Sequence, residues 1–423
     1  MVVSRRFRAL VAPVIALVAS ILAAPSGAGA ATDPPAHVVL TPTTSPATSQ
    51  YFTWRSSEPA TSQRVDVWPA AGGPWRRATV TAKPKPSVRN SGTSLRAYRA
   101  RIDGLTPGTA YAYRIKHQGS TMTGRFTTAS RDGGSWRFLA LGDTQVDNAG
   151  VPAAIVKRAA AAVPDARLLL HAGDVVNHPW VGSEWRDLMI ALRPLRTRIN
   201  VLASIGNHEQ CILLRTCRSG HAEAFRHAFT FPSNGYPKQR STWFSTDYQG
   251  VRFVVLDSFG PDLDRQAAFL QGRLCDNPQR WSVVLMHAGP FSSRADRTNS
   301  AVYSRIRPVL ERCRADLVLT GHDHVYSRGY RGSRNSTVYA TSDSGPKYYV
   351  ASSKDWTRRG ATREVWAQNV STYQVVEVDG STLRYRAVVA RNGSGAKPSK
   401  PVGSVLDAVT ITKDEAGAKT VTW

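Results

Sequence analysis

Short apolar runs, each closed by glycine or a polar residue, recur through the central part of the chain. The five clearest runs are residues 136–141, 166–171, 199–205, 281–286 and 316–320. Runs of this length that end at turn residues are typical of buried strands. Residues 152–162 lie between the first two runs and predict a helix, because proline begins the stretch and few helix breakers follow. The pattern therefore predicts alternating strands and helices.

The residues that follow these runs share one property, which is a side chain able to bind a metal ion. They are Asp143, Asp174, Asn207, His287, His322 and His324. The first three are separated by roughly 30 residues each, the length of one strand–helix–strand unit. We therefore expect each of them at the carboxyl end of a strand, and such ends gather at one edge of an α/β sheet. A glycine precedes the metal-binding type of residue in four of the five motifs, which permits a tight turn there.

The mixture of donors narrows the choice of metal. Carboxylate and amide oxygens combined with imidazoles suit Fe, Mn or Zn. Calcium prefers oxygen alone, and structural zinc sites use cysteine. One Gly-Asp pair or one histidine would indicate only a turn or a core residue. Five motifs in order, each closing an apolar run, instead predict a site for two transition-metal ions (Fe, Mn or Zn).

Residues 35–130 show a different pattern and predict a separate all-β module. Apolar and polar positions alternate over short runs at 38–40, 51–54, 64–68, 94–102 and 110–117, with turn residues between them. That alternation is typical of a β-sandwich. The segment from Leu105 to Tyr111 is similar to the tyrosine corner of fibronectin type III domains.

With these motifs the chain resembles the calcineurin-like metallophosphoesterases, and among them the purple acid phosphatases. The resemblance covers most of the chain and includes all five motifs. It implies two domains, an N-terminal all-β fibronectin type III-like sandwich (35–130) and an α/β four-layer (α-β-β-α) metallophosphoesterase sandwich (134–392). Residues 347–350 are predicted to form a short strand. Residues 393–423 are predicted to be a linker, flexible over 392–399, followed by a C-terminal strand that packs on the catalytic domain.

The resemblance also implies roles for the motif residues. Asp174 would bridge the two metals and would be central to catalysis. Asp143 and His324 would hold the first metal, and the second would be held by Asn207, His287 and His322. His208 would bind no metal but would lie near the scissile phosphate, as a general acid and a substrate contact. Two metals about 3.5–4 Å apart would turn a bridging water into the attacking hydroxide.

Two positions depart from the purple acid phosphatase pattern. The tyrosine whose charge transfer to ferric iron gives the family its colour is replaced by Asn177, which favours a divalent metal pair. The wider family has histidine where this chain has Gln145. Its amide oxygen could bind the first metal, or the side chain could lie behind the ligands. His178 follows Asp174 closely and is a further candidate for contact with the substrate.

The N-terminus and the cysteines indicate export. Residues 1–30 contain arginines, an apolar stretch and a small-residue end, as a cleaved secretory signal does, and no later segment is long enough to span a bilayer. We therefore expect a secreted protein. Its four cysteines would form two disulfides, with Cys211–Cys217 and Cys275–Cys313 as the favoured pairing and the other two connectivities open.

The net charge of +25 comes mostly from arginine spread along the sequence. Such a surface attracts phosphate esters, nucleic acids and anionic cell-wall polymers, but no RNA-binding motif accompanies it. We predict an acid-phosphatase-like phosphomonoesterase acting on a small phosphate ester. A phosphodiesterase acting on nucleotide, lipid or wall-polymer diesters is the alternative. A non-catalytic binder of anionic wall polymers is a remote alternative, because a binder has no need of intact metal ligands.

Overall fold

We describe the fold from a computed structural model of the chain, for residues 36–56, 63–82, 96–117, 119–210, 222–239 and 241–423. The predicted signal peptide (1–30) and the predicted Cys211–Cys217 pair lie outside these residues. Among the described residues, no helix has both the length and the apolar character needed to cross a bilayer.

The first part of the chain is a seven-stranded antiparallel β structure. Its strands are β1 (Ala36–Pro42), β2 (Gln50–Ser56), β3 (Gln63–Pro69), β4 (Arg76–Ala82), β5 (Arg96–Ile102), β6 (Ala110–His117) and β7 (Ser120–Thr127), in the spatial order β1-β2-β5-β4-β3-β6-β7. Alternate residues such as Phe52, Trp54 and Tyr113 point into one core. The Tyr111 hydroxyl accepts a hydrogen bond from the Thr106 N–H (2.9 Å), the contact expected of a tyrosine corner.

The described residues of the second part form thirteen strands. They are β8 (Trp136–Leu141), β9 (Leu168–His171), β10 (Asn200–Ala203), β11 (Phe244–Tyr248), β12 (Val251–Val255), β13 (Trp281–Leu285), β14 (Leu317–Thr320), β15 (Tyr326–Arg331), β16 (Val338–Thr341), β17 (Ala361–Asp379), β18 (Thr382–Lys397), β19 (Val405–Lys413) and β20 (Lys419–Thr422). The main order is β10-β9-β8-β17-β15-β16-β14-β13-β12-β11, and β18, β19 and β20 extend from β17. All five predicted strands that precede motif residues are present.

Helices cover the outside of these strands. They are α1 (Gly150–Ala162), α2 (Gly182–Ala191), α3 (Arg193–Arg196), α4 (Glu223–Ala228), α5 (Leu263–Leu274), α6 (Ser300–Arg305), α7 (Arg307–Arg312) and α8 (Lys354–Arg358), with a 3₁₀ turn at Pro237–Gln239. Helix α1 confirms the predicted helix at 152–162. Ile155, Val156 and Ala159 of this helix are buried in the main core. Leu270 of α5 and Leu310 of α7 belong to a second core on the strands β12, β13 and β14.

Strand β17 is the structural link between two packed sheets. Its residues Gln374–Val378 pair with β8, whereas Ala361–Ala367 pair with β15. The faces of the two sheets meet in the main core, where the ring of Phe138 lies edge-on to that of Phe253 with 5.5 Å between the ring centroids. The predicted order, an all-β part followed by an α/β part with two sheets between helices, is confirmed.

The N-terminal sheet packs against the part of the α/β domain around β10. The Gln50 side-chain amide donates to Asn200 Oδ1 (2.8 Å), and the Tyr113 hydroxyl donates to the Thr197 carbonyl (2.9 Å). Because both polar groups of the sheet are buried or partly buried, these bonds fix its orientation. The all-β part therefore supports the strand that precedes Asn207.

Two predictions about the later chain are wrong. Residues 392–399 were predicted as a flexible linker, but β18 continues through Lys397, where Gln368 of β17 is its partner. Glycine and serine predict a loop locally, and pairing with a long neighbouring strand overrides that preference. A short strand predicted at 347–350 is a loop, followed by an isolated bridge between Ala351 and Arg294.

Cys275 and Cys313 form a disulfide, with 4.6 Å between their Cα atoms. Cys275 ends α5 and Cys313 ends α7, so the bond joins the ends of two helices that precede neighbouring strands. This Cα–Cα distance falls within the range that a disulfide permits.

Candidate metal centre

The predicted site residues meet at one edge of the paired sheets. Strands β10, β9 and β8 run parallel, and β12, β13, β14 and β16 form a second parallel set. The motif residues follow the carboxyl ends of β8, β9, β10, β13 and β14, and they are Asp143, Asp174, Asn207, His287, His322 and His324. Parallel strands leave their carboxyl ends at the same edge, which is where ligand sites form in such sheets.

These side chains form two overlapping groups. Asp174, His287 and His322 make one group, and Asp143, Asp174 and His324 make the other. Within each group the candidate ligand atoms lie within 4.8 Å of one another, and all these residues are buried. Because Asp174 belongs to both groups, its carboxylate has the position that a bridging ligand requires. The structure thus places the predicted ligands of each metal close to one another. That these residues bind metal stays a prediction.

The donor atoms have the chemistry that a metal pair needs. Asp143 Oδ1 is buried without a hydrogen-bond partner, and it lies 3.5 Å from His324 Nε2. Asn207 Oδ1 lies 3.2 Å from His287 Nε2, so the amide oxygen faces the same space as the second group. A buried carboxylate oxygen without a donor is costly unless a cation approaches it. The residues present therefore fit two transition-metal ions.

Hydrogen bonds orient the imidazoles toward that space. His287 Nδ1 donates to the Ala172 carbonyl (2.7 Å), which leaves Nε2 facing Asp174 Oδ2 at 3.0 Å. His324 Nδ1 similarly donates to the Lys347 carbonyl (3.1 Å). Metal-binding histidines usually fix the second ring nitrogen in this way. In both rings Nε2 is the nitrogen that faces the carboxylates.

The backbone is strained where the ligands lie. Five non-glycine residues of the site have a left-handed conformation: Asp143 (φ 47°), Gln145 (φ 40°), Asp174 (φ 48°), His322 (φ 74°) and His324 (φ 50°). This conformation costs side-chain-bearing residues free energy, and it persists only where the surrounding structure enforces it. Its concentration at one sheet edge is typical of a functional site.

Two glycines allow the loops to approach the carboxylates. A Cβ atom at Gly206 would lie 2.1 Å from Asp174 Oδ1, and one at Gly321 would lie 2.1 Å from Asp143 Oδ2. Neither distance can be tolerated, so glycine is required before Asn207 and before His322. The Gly-Asn and Gly-His motifs therefore have a steric cause.

The buried charges favour the binding of cations. Burial, with Asp174 close by, holds the pKa of Asp143 well above its usual range. Burial also pushes the pKa of Asp174 upward, but the nearby His287 and His208 outweigh it and the net shift is downward. For His287, burial opposes protonation but the two carboxylates overcome it and raise its pKa to about 9. Two carboxylates in one buried space attract positive charge, which metal ions would supply.

His208 lies beside the ligand groups with a defined orientation. Its backbone N–H donates to Asp174 Oδ1 (3.0 Å), and its Nδ1 donates to the Asn177 carbonyl (2.6 Å). Its Nε2 therefore points toward the site, 3.8 Å from Asp174 Oδ2. Because a backbone carbonyl holds the ring, the asparagine side chain in place of tyrosine does not disturb it.

Gln145 and His178 are the two remaining candidates from the sequence. The Gln145 amide nitrogen lies 2.5 Å from His208 Nε2, and its buried amide oxygen has no hydrogen-bond partner. Gln145 thus contacts His208, the candidate for proton transfer. The Gln145 amide oxygen remains available as a metal ligand. His178 Nδ1 instead pairs with Glu184 (2.7 Å), and its ring packs on Trp180. Among the described residues, His178 belongs to neither ligand group.

Glu209 is a supporting residue to which the sequence analysis assigned no role. Its carboxylate accepts hydrogen bonds from the backbone N–H groups of Asp174 (3.0 Å), Val176 (3.1 Å) and Gly206 (2.9 Å). Burial raises its pKa to about 8, and the donated N–H bonds oppose that shift. The side chain ties the loop after β9 to the loop after β10. Its place in the Asn-His-Glu motif was the only available signal.

Asp323 has the same kind of role on the other side of the site. It accepts hydrogen bonds from the Ser292 hydroxyl (2.9 Å) and from the Ser293 N–H (2.6 Å). Arg297 lies 3.4 Å from it and also donates to the His322 carbonyl. The loop that carries both final histidines is therefore held by side chains that no motif identified.

A sheet edge that gathers two buried ligand groups around one shared carboxylate defines the class of binuclear metal-dependent hydrolases. Similar folds are known. The purple acid phosphatase PPD1 from yellow lupin (Lupinus luteus) seeds superposes with a TM-score of 0.72 and 17% identity, over 91% of this chain and 76% of that one. PhoD superposes with a TM-score of 0.61 and 14% identity, over 92% of each chain. Both similarities show the fold.

Sequence comparison identifies the domains. Residues 35–128 match the N-terminal domain of purple acid phosphatases, and residues 137–326 match the calcineurin-like phosphoesterases. The chain thus contains a calcineurin-like phosphoesterase domain preceded by a purple acid phosphatase N-terminal domain, which confirms the predicted resemblance. An uncharacterized protein of Mycobacterium tuberculosis, matched in two strains, is 27% identical over 329 residues. That alignment covers 67% of this chain and 60% of the relative, so the chain spans about 60% of the relative's length.

Proposed function

We propose that this protein is an exported, binuclear-metal phosphohydrolase that acts on phosphate monoesters. The observation that carries the proposal is the shared position of Asp174 in two buried ligand groups, with His208 Nε2 directed at the same carboxylate. Each of the two groups combines at least one carboxylate with at least one imidazole, which suits Fe, Mn or Zn. Asn177 in place of a phenolate ligand favours a divalent pair.

The metal ligands and His208 would have different roles in hydrolysis. Two bound metal ions would supply Lewis acidity and an activated water for attack on phosphorus. Asp143, Asp174, Asn207 and the three ligand histidines would hold that pair at a fixed place in the buried edge of the sheets. His208, with its Nδ1 proton committed to the Asn177 carbonyl, would carry a proton on Nε2 and donate it to the departing alkoxide. Gln145 would hold the neutral His208 ring by donating its amide N–H to the unprotonated Nε2, and after rotation of the amide its oxygen would accept from Nε2 once that nitrogen carries the proton.

Export and substrate attraction complete the proposal. The signal-like residues 1–30 support secretion, and the Cys275–Cys313 disulfide suits an oxidising compartment. The net charge of +25 supports attraction of anionic substrates, including wall polymers and nucleic acids, without a dedicated nucleic-acid partner.

A comparison of two chromogenic esters tests the proposal. The purified protein would be supplied separately with Mn, Zn and Fe, and turnover of p-nitrophenyl phosphate and of its bis-ester would be measured. Asp174→Asn should abolish turnover of the monoester and lower the metal content, because it weakens both ligand groups. Asp264→Asn is the matched control, since that carboxylate is 83% exposed and lies on α5.

Each outcome has a separate meaning. Faster turnover of the monoester that is lost in Asp174→Asn and kept in Asp264→Asn supports a phosphomonoesterase. Faster turnover of the bis-ester replaces that proposal with a phosphodiesterase. Equal activity in Asp174→Asn and the unchanged protein would refute the site. Binding of anionic wall polymers without any metal-dependent turnover would favour the alternative that the protein is a non-catalytic binder of such polymers.

A further inference from the structure

Three cations surround the ring of Tyr349 at the rim of the candidate metal centre. Arg294 Cζ lies 3.6 Å from the ring centroid, Lys347 Nζ lies 5.3 Å away and Arg297 Cζ lies 5.9 Å away. The same ring packs edge-on against the imidazole of His324, with 4.9 Å between the ring centroids. One aromatic ring thus separates this group of cations from a predicted ligand of the first metal.

The backbone holds these side chains in place. The segment around Arg294 pairs with the segment after Tyr349, through a bridge between Arg294 and Ala351 and a hydrogen bond from the Ala295 N–H to the Val350 carbonyl (2.9 Å). The Lys347 carbonyl accepts the Nδ1 proton of His324 (3.1 Å). Cations fixed before a ligand arrives lose little conformational entropy when they bind it.

Two of the three cations are available to a ligand. In the described part of the chain, no carboxylate lies within ion-pair distance of the Arg294 guanidinium or the Lys347 ammonium. Arg297 differs, because its guanidinium contacts Asp323 and the His322 carbonyl. Stacking of Arg294 on Tyr349 uses the face of the guanidinium and leaves the N–H donors at its edge free.

The space beside them is basic. A cavity of about 800 Å³ is lined by Arg294, Arg297 and Arg358, among others. Of the acidic residues in its lining, Asp355 is occupied by an ion pair with Arg358 at 2.6 Å. Asp296 is exposed and in a left-handed conformation (φ 60°). Among the described residues of this lining, Arg294 and Lys354 have no ion pair, and Asp296 is the one carboxylate without such a pair. Unpaired cations therefore outnumber unpaired carboxylates in this lining.

We propose that Arg294 and Lys347 form a second anion subsite, which binds an additional phosphate of the substrate while the scissile phosphate lies at the metal centre. This inference rests on the proposed function, because it names the substrate class of the same site. Arg294 Cζ is 3.6 Å from the Tyr349 ring centroid, and that centroid is 4.9 Å from the centroid of the His324 ring. The distance from the guanidinium to the His324 ring can be no larger than these two distances added together. A small molecule that carries two phosphates can span that separation. The preferred substrates are then bisphosphorylated compounds rather than simple monoesters.

A matched pair of substrates tests the subsite. Phosphate release from glucose 1,6-bisphosphate and from glucose 6-phosphate would be compared for the metal-loaded full chain and for Arg294→Gln and Lys347→Gln. Each variant should lower kcat/KM for the bisphosphate about fivefold, chiefly through KM, and leave the monophosphate within about twofold. Arg125→Gln is the control, because Arg125 is exposed on β7 and its loss changes the net charge equally.

The remaining outcomes separate the two proposals. Equal losses on both substrates, or none on either, would overturn the subsite while leaving the phosphohydrolase intact. If neither compound is hydrolysed in an Asp174-dependent way, the proposed function fails, and calorimetric binding of the same two compounds then tests the subsite alone. Tighter binding of the bisphosphate that is reduced in Arg294→Gln supports the subsite, and equal binding of both compounds refutes it. Unchanged melting temperatures show that the variants are folded.

Discussion

Replacement of Glu209 by glutamine should weaken metal binding without removing any predicted ligand. The Glu209 carboxylate receives three backbone N–H bonds, two on Oε2 from Asp174 and Gly206 and one on Oε1 from Val176. Glutamine has nearly the same shape, but one terminal oxygen becomes an NH₂ group that cannot accept. At least one buried N–H therefore faces another donor.

The expected magnitude follows from that count. If the amide oxygen takes the position of Oε2, two bonds survive and the Val176 N–H is left unsatisfied. An unsatisfied buried donor costs about 1–3 kcal/mol. The altered hydrogen bonds would displace the loop that carries Asp174, whose carboxylate belongs to both ligand groups. Loss of a group that orients ligands typically weakens metal affinity about 10–100-fold, which we expect here.

The assay is a metal titration in buffers of defined free Zn or Mn, followed by calorimetry and by turnover of p-nitrophenyl phosphate. Glu209→Gln should need higher free metal for half-maximal activity and recover much of its turnover at saturation. Glu415→Gln, an exposed carboxylate near the C-terminus, is the control. Metal affinity of Glu209→Gln within about twofold of the unchanged protein would refute the argument that this side chain holds the loop.

Two further predictions concern proton transfer and stability. His208→Ala should keep its metal content but lose about 10²–10⁴-fold in turnover of alkyl phosphates, with a smaller loss for p-nitrophenyl phosphate, whose leaving group needs less protonation; equal losses on both ester types would show that His208 is no proton donor. The double variant Cys275→Ser with Cys313→Ser opens a loop with a sequence separation of 38 and should lower the free energy of unfolding by about 2–4 kcal/mol in urea titrations, with turnover at 25 °C unchanged. An unchanged unfolding midpoint in the double variant would contradict a role of the disulfide in stability.

The sequence was most informative where one residue type is enforced locally. The apolar runs before Asp143 and His287 form β8 and β13 because a buried parallel strand needs continuous apolar side chains. Gly206 and Gly321 are required by close approach to carboxylates, so the motifs that contain them could be recognised without a structure. Such constraints lie within a few residues of one another.

Features that depend on distant partners could not be predicted in this way. The extension of β18 across residues 392–397 depends on β17, which its own glycine and serine content cannot reveal. The contact of Gln145 with His208 depends on two loops of different strands. The cations around Tyr349 come from two segments that are joined by the Arg294–Ala351 bridge and by neighbouring backbone hydrogen bonds. Sequence patterns report local preference, and these contacts are set by the folded chain.

The continuity of β17 through both sheets has a consequence for how the protein matures. One sheet contributes Asp143, Asp174 and Asn207, whereas the other contributes the three histidines, and β17 is hydrogen-bonded into both. Neither sheet alone provides all the ligands of the predicted metal pair. A high-affinity site for two metals can therefore form only after the two sheets have packed together. Because binding free energy then adds to folding free energy, tight metal uptake would mark the end of folding. The amount of bound metal would therefore report what fraction of the protein has folded completely.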